Sequence, residues 1–279
     1  MRFYTPVLAV VFLLLGGCQQ SSHSPDAPAS APVLKQDDAC PAAVLSRVQY
    51  YLSVQDGQGH GPDPGSHEWY GSVEHQLARQ GQSSFPEGGT LAWCDSVLAA
   101  QNVKPTFSCH DNSGQAEQAI CQSASLAALD TWLEDTYMNA LRTVDGQQET
   151  SLKAMQRGWI KGRDACWQAT DISHCVREQY IQRISELQAQ YALVEPMAQT
   201  SLVCPGERVY TVRFFNTPEP AMVIEGGPRP LLLWQMKAAS GTRYEGANTL
   251  YWEHHGEAEF ISGVGAESQV CRVTTIKNG

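Results

Sequence analysis

The chain is short of basic residues and of charge in general. Of 279 residues only 17% are charged, and 19 Lys and Arg stand against 29 Asp and Glu, a formal net charge of −10. Nucleic acid is therefore a poor partner, because binding a polyphosphate rests on a surplus of Lys and Arg that displaces its counterions. A cationic partner suits the balance better. The strings that announce catalysis are also missing: no GxSxG, HExxH or P-loop sequence occurs after the first 17 residues. No CxxC pair is present, which disfavours a zinc ribbon. The apolar run Val7 to Leu15 falls short of the roughly 20 residues that a spanning helix needs. These absences disfavour an enzyme and lead to an expectation of no catalytic residues, no cofactor and no metal. Apolar content is not lacking. At 42% hydrophobic the chain has enough to offset ordering entropy, and its length fits one to three domains at roughly 100 to 200 residues each.

Arg2 ahead of the apolar run, with Gly16 and Gly17 before Cys18, reads as a signal segment over residues 1–17. Its removal leaves 18 basic against 29 acidic residues, or −11. The tetrad Leu15-Gly16-Gly17-Cys18 resembles the bacterial lipobox, which implies that Cys18 becomes a lipidated N-terminus and the membrane anchor; stable attachment takes more than one acyl chain. Gln19 in place of Asp implies, as in lipoproteins of enteric type, the outer membrane, with the protein facing the periplasm or the cell surface. Residues 18–39 are rich in Ser and Pro and read as a flexible tether. Eight cysteines remain, Cys40, Cys94, Cys109, Cys121, Cys166, Cys175, Cys204 and Cys271, an even number in an oxidising compartment, so a disulfide framework is expected. Cys40 and Cys94 are alone in their segment and are paired. Cys204 and Cys271 would tie the first strand of the last segment to its last strand. The four between them form two staples whose connectivity stays open.

Three segments follow the tether. In 40–105, Val44, Val48, Tyr51 and Leu52 keep helical spacing and a second short helix is expected from Glu68 to Gln80, but the residues assign the segment no role. In 106–195, Leu126, Leu129, Trp132, Leu133, Tyr137, Ala140, Leu141 and Val144 lie on one helical face. Gly146 breaks that helix, Leu152, Met155, Trp159 and Ile160 belong to a second, and Val176, Tyr180, Ile184, Leu187 and Tyr191 to a third that stops before Pro196. In 197–279 alternating runs such as Val209 to Phe214 are parted by Gly, Pro and Asn turns, the mark of an antiparallel sheet or barrel. The expected class is α+β multidomain, a disulfide-stapled three-helix bundle followed by a small antiparallel β structure. The segments from residue 18 carry −5, −5 and −1. That acidity reads first as a solvated face, and secondly as a field that steers a basic partner.

Two stretches look like known families. Phe107-Ser108-Cys109, Glu117, Ile120-Cys121, Leu126-Ala127-Ala128-Leu129-Asp130, Tyr137, Gln156-Arg157, Trp159, Arg163-Asp164-Ala165-Cys166, Cys175, Tyr180 and Arg183-Ile184 resemble the LprI-type domain of cysteine-rich envelope proteins, some described as lysozyme inhibitors. Further on, Val212, Phe214-Phe215-Asn216, Ala221, Ala239-Ser240-Gly241-Thr242-Arg243-Tyr244, Tyr251-Trp252 and Glu257-Ala258 resemble the MliC/PliC inhibitors of C-type lysozyme. That resemblance implies a small antiparallel β-barrel closed by a disulfide, and C-type lysozyme as the partner.

The second resemblance also implies a site. In that family a serine of the Ala-Ser-Gly loop and a lysine just after the Trp enter the lysozyme cleft and contact its two catalytic carboxylates. The serine matches Ser240, whereas the lysine falls on His254 and the glycine after it on His255. Lys carries a permanent charge on a long stem and His is shorter and only conditionally charged, so inhibition is expected to be stronger at acidic pH or weaker throughout. Ser240, Gly241, Arg243, Tyr244 and His254 are the expected lysozyme contacts. Arg243 serves equally well as a brace for loop carbonyls, and for Tyr244, Tyr251 and Trp252 packing in or on the barrel is the better reading. Glu253, His254, His255 and Glu257 cluster, but adjacent strand residues point to opposite faces and do not readily chelate one ion. Glu117 and Asp130 are too far apart along a helix for a catalytic pair, and Arg163 beside Asp164 reads as an ion pair or cap. The rival function is a non-inhibitory envelope lipoprotein or adaptor that binds peptidoglycan or another envelope protein.

Overall fold

The computed structural model describes residues 38–55, 58–110 and 114–275. The signal segment, Cys18 and nearly all of the tether lie outside the described residues. Among the described residues seven α-helices come first: α1 (Ala42–Leu52), α2 (His67–Ala78), α3 (Leu91–Ala100), α4 (Gln115–Gln122), α5 (Ala124–Thr143), α6 (Gly146–Asp164) and α7 (Ile172–Gln190), with a 3-10 turn at Ala165–Gln168. Four of them start on the same device: the side chains of Ser66, Thr90, Ser123 and Asp171 each accept the backbone N–H three residues on, satisfying a donor that the first helical turn leaves open.

Residues on both sides of position 105 share one core. It runs from Cys40 to Leu187 and holds Trp69, Trp93, Leu98, Leu129, Leu152 and Tyr180 out of solvent. The two buried indoles lie 5.7 Å apart and both keep their N–H satisfied, Trp69 by Gln49 at 2.7 Å and Trp93 by Glu74 at 2.8 Å, as buried tryptophans require. Where the periodicity shows three helices in 106–195, the structure has four. The extra one, α4, spans only eight residues, too few for a period to show. Helix α3 was equally silent, because the side opposite its buried Trp93, Cys94, Val97 and Leu98 carries the exposed Ala92, Ala99 and Ala100, which leaves it without a clear polar face.

The disulfides join Cys40 to Cys94, Cys109 to Cys121, Cys166 to Cys175 and Cys204 to Cys271. The two in the bundle are local, closing 12 and 9 residues. They pin helix ends and do not bridge α5 to α6.

After α7 come eight strands, β1 (Ala198–Cys204), β2 (Arg208–Phe215), β3 (Ala221–Glu225), β4 (Leu231–Met236), β5 (Thr242–Gly246), β6 (Thr249–His254), β7 (Glu257–Ser262) and β8 (Gln269–Thr275). Each pairs antiparallel with the next, and β8 returns to pair with β1, so the barrel is closed and has no open edge. Leu202, Val212, Phe214, Met222, Leu233, Tyr244, Tyr251 and Phe260 fill the inside. The alternation fails in β3, where Ala221, Met222, Val223 and Ile224 are all buried. The outer face of that strand is covered by α7: Phe215, Ala221 and Val223 pack against Ala189, and the Ser185 hydroxyl accepts the Glu219 backbone N–H at 2.8 Å. Helices and barrel form one compact unit.

Candidate functional site

The register of the barrel brings two connections to one rim. Thr242 pairs with Glu253 and His254 pairs with Glu257, so the β4–β5 loop, residues 237–241, lies beside the β6–β7 turn of His255 and Gly256. Both turn residues have positive φ, 54° and 82°, the backbone that a two-residue hairpin turn matched to strand twist demands. The Glu253 carboxylate accepts the Gly256 N–H at 2.9 Å and pins the turn. The loop is fixed from the other side: the Trp252 indole N–H donates to the Ser240 carbonyl at 3.1 Å, and the Arg243 guanidinium stands 5.7 Å from the centre of the same indole while its Nε donates to Glu245 at 2.8 Å.

Gly241 is where the loop meets the end of β6. Its φ is +71°, and a Cβ built there would lie 2.2 Å from the Glu253 carbonyl oxygen and 3.2 Å from Cδ2 of the His254 ring. No larger residue fits without moving the loop. Ser240, Gly241, His254 and His255 are all exposed. The structure thus brings Ser240, Gly241, Arg243 and His254 to one rim.

Tyr244 does not join them. It is 2% exposed and packs in the barrel against Phe214 at 5.6 Å, because alternation along β5 turns it inward while Arg243 and Glu245 turn out. Its hydroxyl is pushed up from the ordinary tyrosine range by burial. Tyr251 is in the core as well, whereas Trp252 lies on the outer face, 36% exposed, as the brace of the loop. The two histidines are not successive strand residues on opposite faces. His255 belongs to the turn, and the two rings meet edge-on with centroids 4.0 Å apart. Among the described residues no group of three or more His, Cys, Asp or Glu is arranged to hold a metal ion.

The pattern residues of the helical part go elsewhere. Asp130 is buried; its Oδ2 accepts from the Thr106 N–H at 2.6 Å and the Thr106 hydroxyl at 2.7 Å, and its Oδ1 accepts from the Tyr180 hydroxyl at 2.7 Å. Arg163 donates to the same Tyr180 oxygen at 3.0 Å and pairs with Asp164 at 2.6 Å. Desolvation, helped by the Asp130 charge, pushes the Tyr180 hydroxyl far above the ordinary range, so it stays a donor. Tyr180 is 50 residues from Asp130, and nothing in the spacing announces the contact. This is a closed network that fastens α5, α6 and α7 to the segment before α4.

Comparison with known proteins follows the same division. A model of the family described as lysozyme inhibitor LprI matches residues 109–197. The lipoprotein LprI of Mycobacterium bovis and that of Mycobacterium tuberculosis are each 30% identical over 178 residues, which is 60% of this chain and 86% of theirs. The chain belongs to the LprI lysozyme-inhibitor family. A second stretch, residues 203–268, matches the family described as membrane-bound lysozyme-inhibitor of c-type lysozyme, MliC. The LprI match covers the Asp130–Tyr180–Arg163 network, and the MliC match covers the whole Ser240–His254 rim. No solved structure matches the chain. Among the described residues no helix is long and apolar enough to cross a membrane.

Proposed function

We propose that this chain is a non-catalytic inhibitor that occludes the active-site cleft of a C-type lysozyme with the rim of its barrel. Ser240 and His254 are the inserted side chains, Gly241 permits their close approach, and Trp252 and Arg243 hold the loop in shape. The observation that carries the reading is the close approach of Gly241 in the β4–β5 loop to Glu253 and His254 at the end of β6, which puts the exposed Ser240 and the exposed His254 at the same rim. A hydroxyl donates to one carboxylate, and a protonated imidazole pairs with an ionised one. Tyr244 supports the barrel from inside and has no place in the contact. On this reading Cys18 carries the lipid that holds the inhibitor at the outer membrane, where it shields peptidoglycan.

The test is lysis of cell-wall suspensions by hen-type lysozyme with increasing protein, wild type against Ser240→Ala, His254→Ala and His254→Lys. Saturable inhibition by wild type that weakens at least tenfold in either alanine variant supports the rim. Undiminished inhibition by both alanine variants moves the site to the helices. The charged groups around His254 are His255, Glu253 and Glu257. Lysine carries permanently the charge that an imidazole carries only when protonated, so His254→Lys should inhibit at least as strongly as wild type, and wild-type inhibition by His254→Ala would remove His254 from the mechanism.

A further inference from the structure

Between the helices and the outer wall of the barrel lies an open cleft of about 520 Å³. Trp159 of α6, Gln182, Arg183 and Glu186 of α7, Trp234 of β4 and Glu245 of β5 line it. Both indoles are half-buried. Trp159 is held by its N–H on the Gln179 carbonyl at 3.3 Å and by an edge contact with Tyr180 at 5.3 Å. Trp234 projects from the outer face of β4, directly across from Glu245. Arg183 is 3% exposed; its Nε donates to Gln156 at 3.1 Å and its Nη1 pairs with Glu186 at 2.8 Å. Its Nη2 is enclosed with no acceptor in the protein, the one such atom on a residue that lines this cleft.

We infer that this cleft binds a neutral oligosaccharide of two or three rings. A pyranose has an apolar C–H face and an edge of hydroxyls, each both donor and acceptor. Two fixed indoles offer plates for the C–H faces. The carboxylates of Glu186 and Glu245 accept from hydroxyls, and the Gln182 amide does both. Arg183 stands behind this wall and holds the Glu186 carboxylate in place. Charge decides against the other ligands. Each carboxylate already has its own guanidinium, Glu186 that of Arg183 and Glu245 that of Arg243, so a cation finds no unpaired anion, and an anion meets carboxylates on both walls. The volume lies within the range of small-ligand sites and fits a short glycan.

The cleft stands apart from the lysozyme rim in its residues, for none of the rim contacts line it. The two are neighbours all the same. On the outer face of β5, Arg243 is paired with Trp252 at the rim, and Glu245, two residues on, is paired with Trp234 in the cleft. A glycan held here would lie alongside the inhibitory loop.

The full chain in a detergent without sugar head groups should be titrated calorimetrically, in the absence of lysozyme, with tri-N-acetylchitotriose, cellotriose and maltotriose. At least one trisaccharide should bind saturably at one to one, with a Kd between about 10 μM and 1 mM. Preference for the acetylated sugar indicates a wall-type glycan, and preference for a plain one indicates another polysaccharide. Trp234→Ala, Glu186→Gln and Gln182→Ala should each weaken binding, the first at least tenfold, while Ser240→Ala binds as wild type does. Gln182 is exposed, so its loss does not threaten folding, and undiminished lysozyme inhibition by Trp234→Ala would show that this variant folds. Absence of saturable binding by all three sugars at about 10 mM, or wild-type affinity in Trp234→Ala and Gln182→Ala together, overturns the inference. Either result leaves the reading of the rim untouched.

Discussion

The helical body and the barrel spend their family patterns differently. In the helices, Asp130, Arg163, Asp164 and Tyr180 are hydrogen-bonded to one another around a buried centre, and the two bundle disulfides are local. In the barrel the pattern Ala239 to Tyr244 divides, with Tyr244 in the core and Ser240, Gly241 and Arg243 at the rim. The same kind of sequence signal therefore marks a fold in one region and an exposed surface in the other. Asp130→Ala is the sharpest way to break that contrast. It strips the acceptor from the Thr106 N–H, the Thr106 hydroxyl and the Tyr180 hydroxyl at once, and each buried donor left without a partner costs about 1–3 kcal/mol. The urea midpoint should fall accordingly. A variant that kept wild-type stability yet lost inhibition would turn the network from scaffold into site.

The barrel's counterpart is its disulfide. Cys204 and Cys271 are 67 residues apart, and by the loop-entropy argument their bond contributes about 4 kcal/mol, against about 3 for each short staple of the bundle. Replacing both Cys204 and Cys271 by serine should lower the barrel's stability more than the equivalent change at Cys166 and Cys175 lowers that of the helices. Denaturant melts of the two double variants check the order.

How much of this was legible depended on whether a signal was local. The stripe from Leu126 to Leu141 announced α5, and alternation announced strands. The even cysteine count announced bridges but not that Cys109 chooses Cys121. Helix α3 lacked a polar face and α4 lacked length, so neither left a period. Tyr244 needed the register of β5 to show which way it points. A hint about docking did exist: Ala221 to Ile224 is apolar without alternation, which in a strand means burial on both faces, and α7 supplies the second cover. The Asp130–Tyr180 contact and the cleft at Trp159 and Trp234 join residues from separate elements, and no spacing along the chain encodes them.

At the rim the expected effects on stability are smaller and those on binding larger. Gly241→Ala meets both a positive φ and a carbonyl oxygen 2.2 Å from the new Cβ, so the loop must shift. A strained backbone of this kind costs about 1–3 kcal/mol, and inhibition should fall with it. Ser240→Ala touches nothing buried and should change stability by no more than about 0.5 kcal/mol. Its tenfold or greater loss of inhibition amounts to about 1.4 kcal/mol or more. Thermal melts beside inhibition constants separate the two variants; equal losses of stability would mean that Ser240 belongs to the scaffold after all.

The smallest effect lies where the two regions meet. Glu219 sits in the β2–β3 turn that docks on Ser185 of α7, and desolvation there, with the nearby Glu178 charge adding to it, raises its carboxyl above the ordinary glutamate range. The folded state then holds this proton more tightly than the unfolded chain does. Stability is lost as pH climbs from the unfolded value through the folded one, and stays lost above it. Glu219→Gln removes that penalty, so the variant should melt higher than wild type at pH 7, and the advantage should vanish at pH 3.5, where both side chains are neutral. Because Glu219 is only partly buried, solvent screens the effect and the shift in Tm should be slight. A destabilised variant at pH 7 would show that the carboxylate contributes an attraction at the junction, which would tie barrel to helices through charge as well as through the apolar contact of Phe215, Val223 and Ala189.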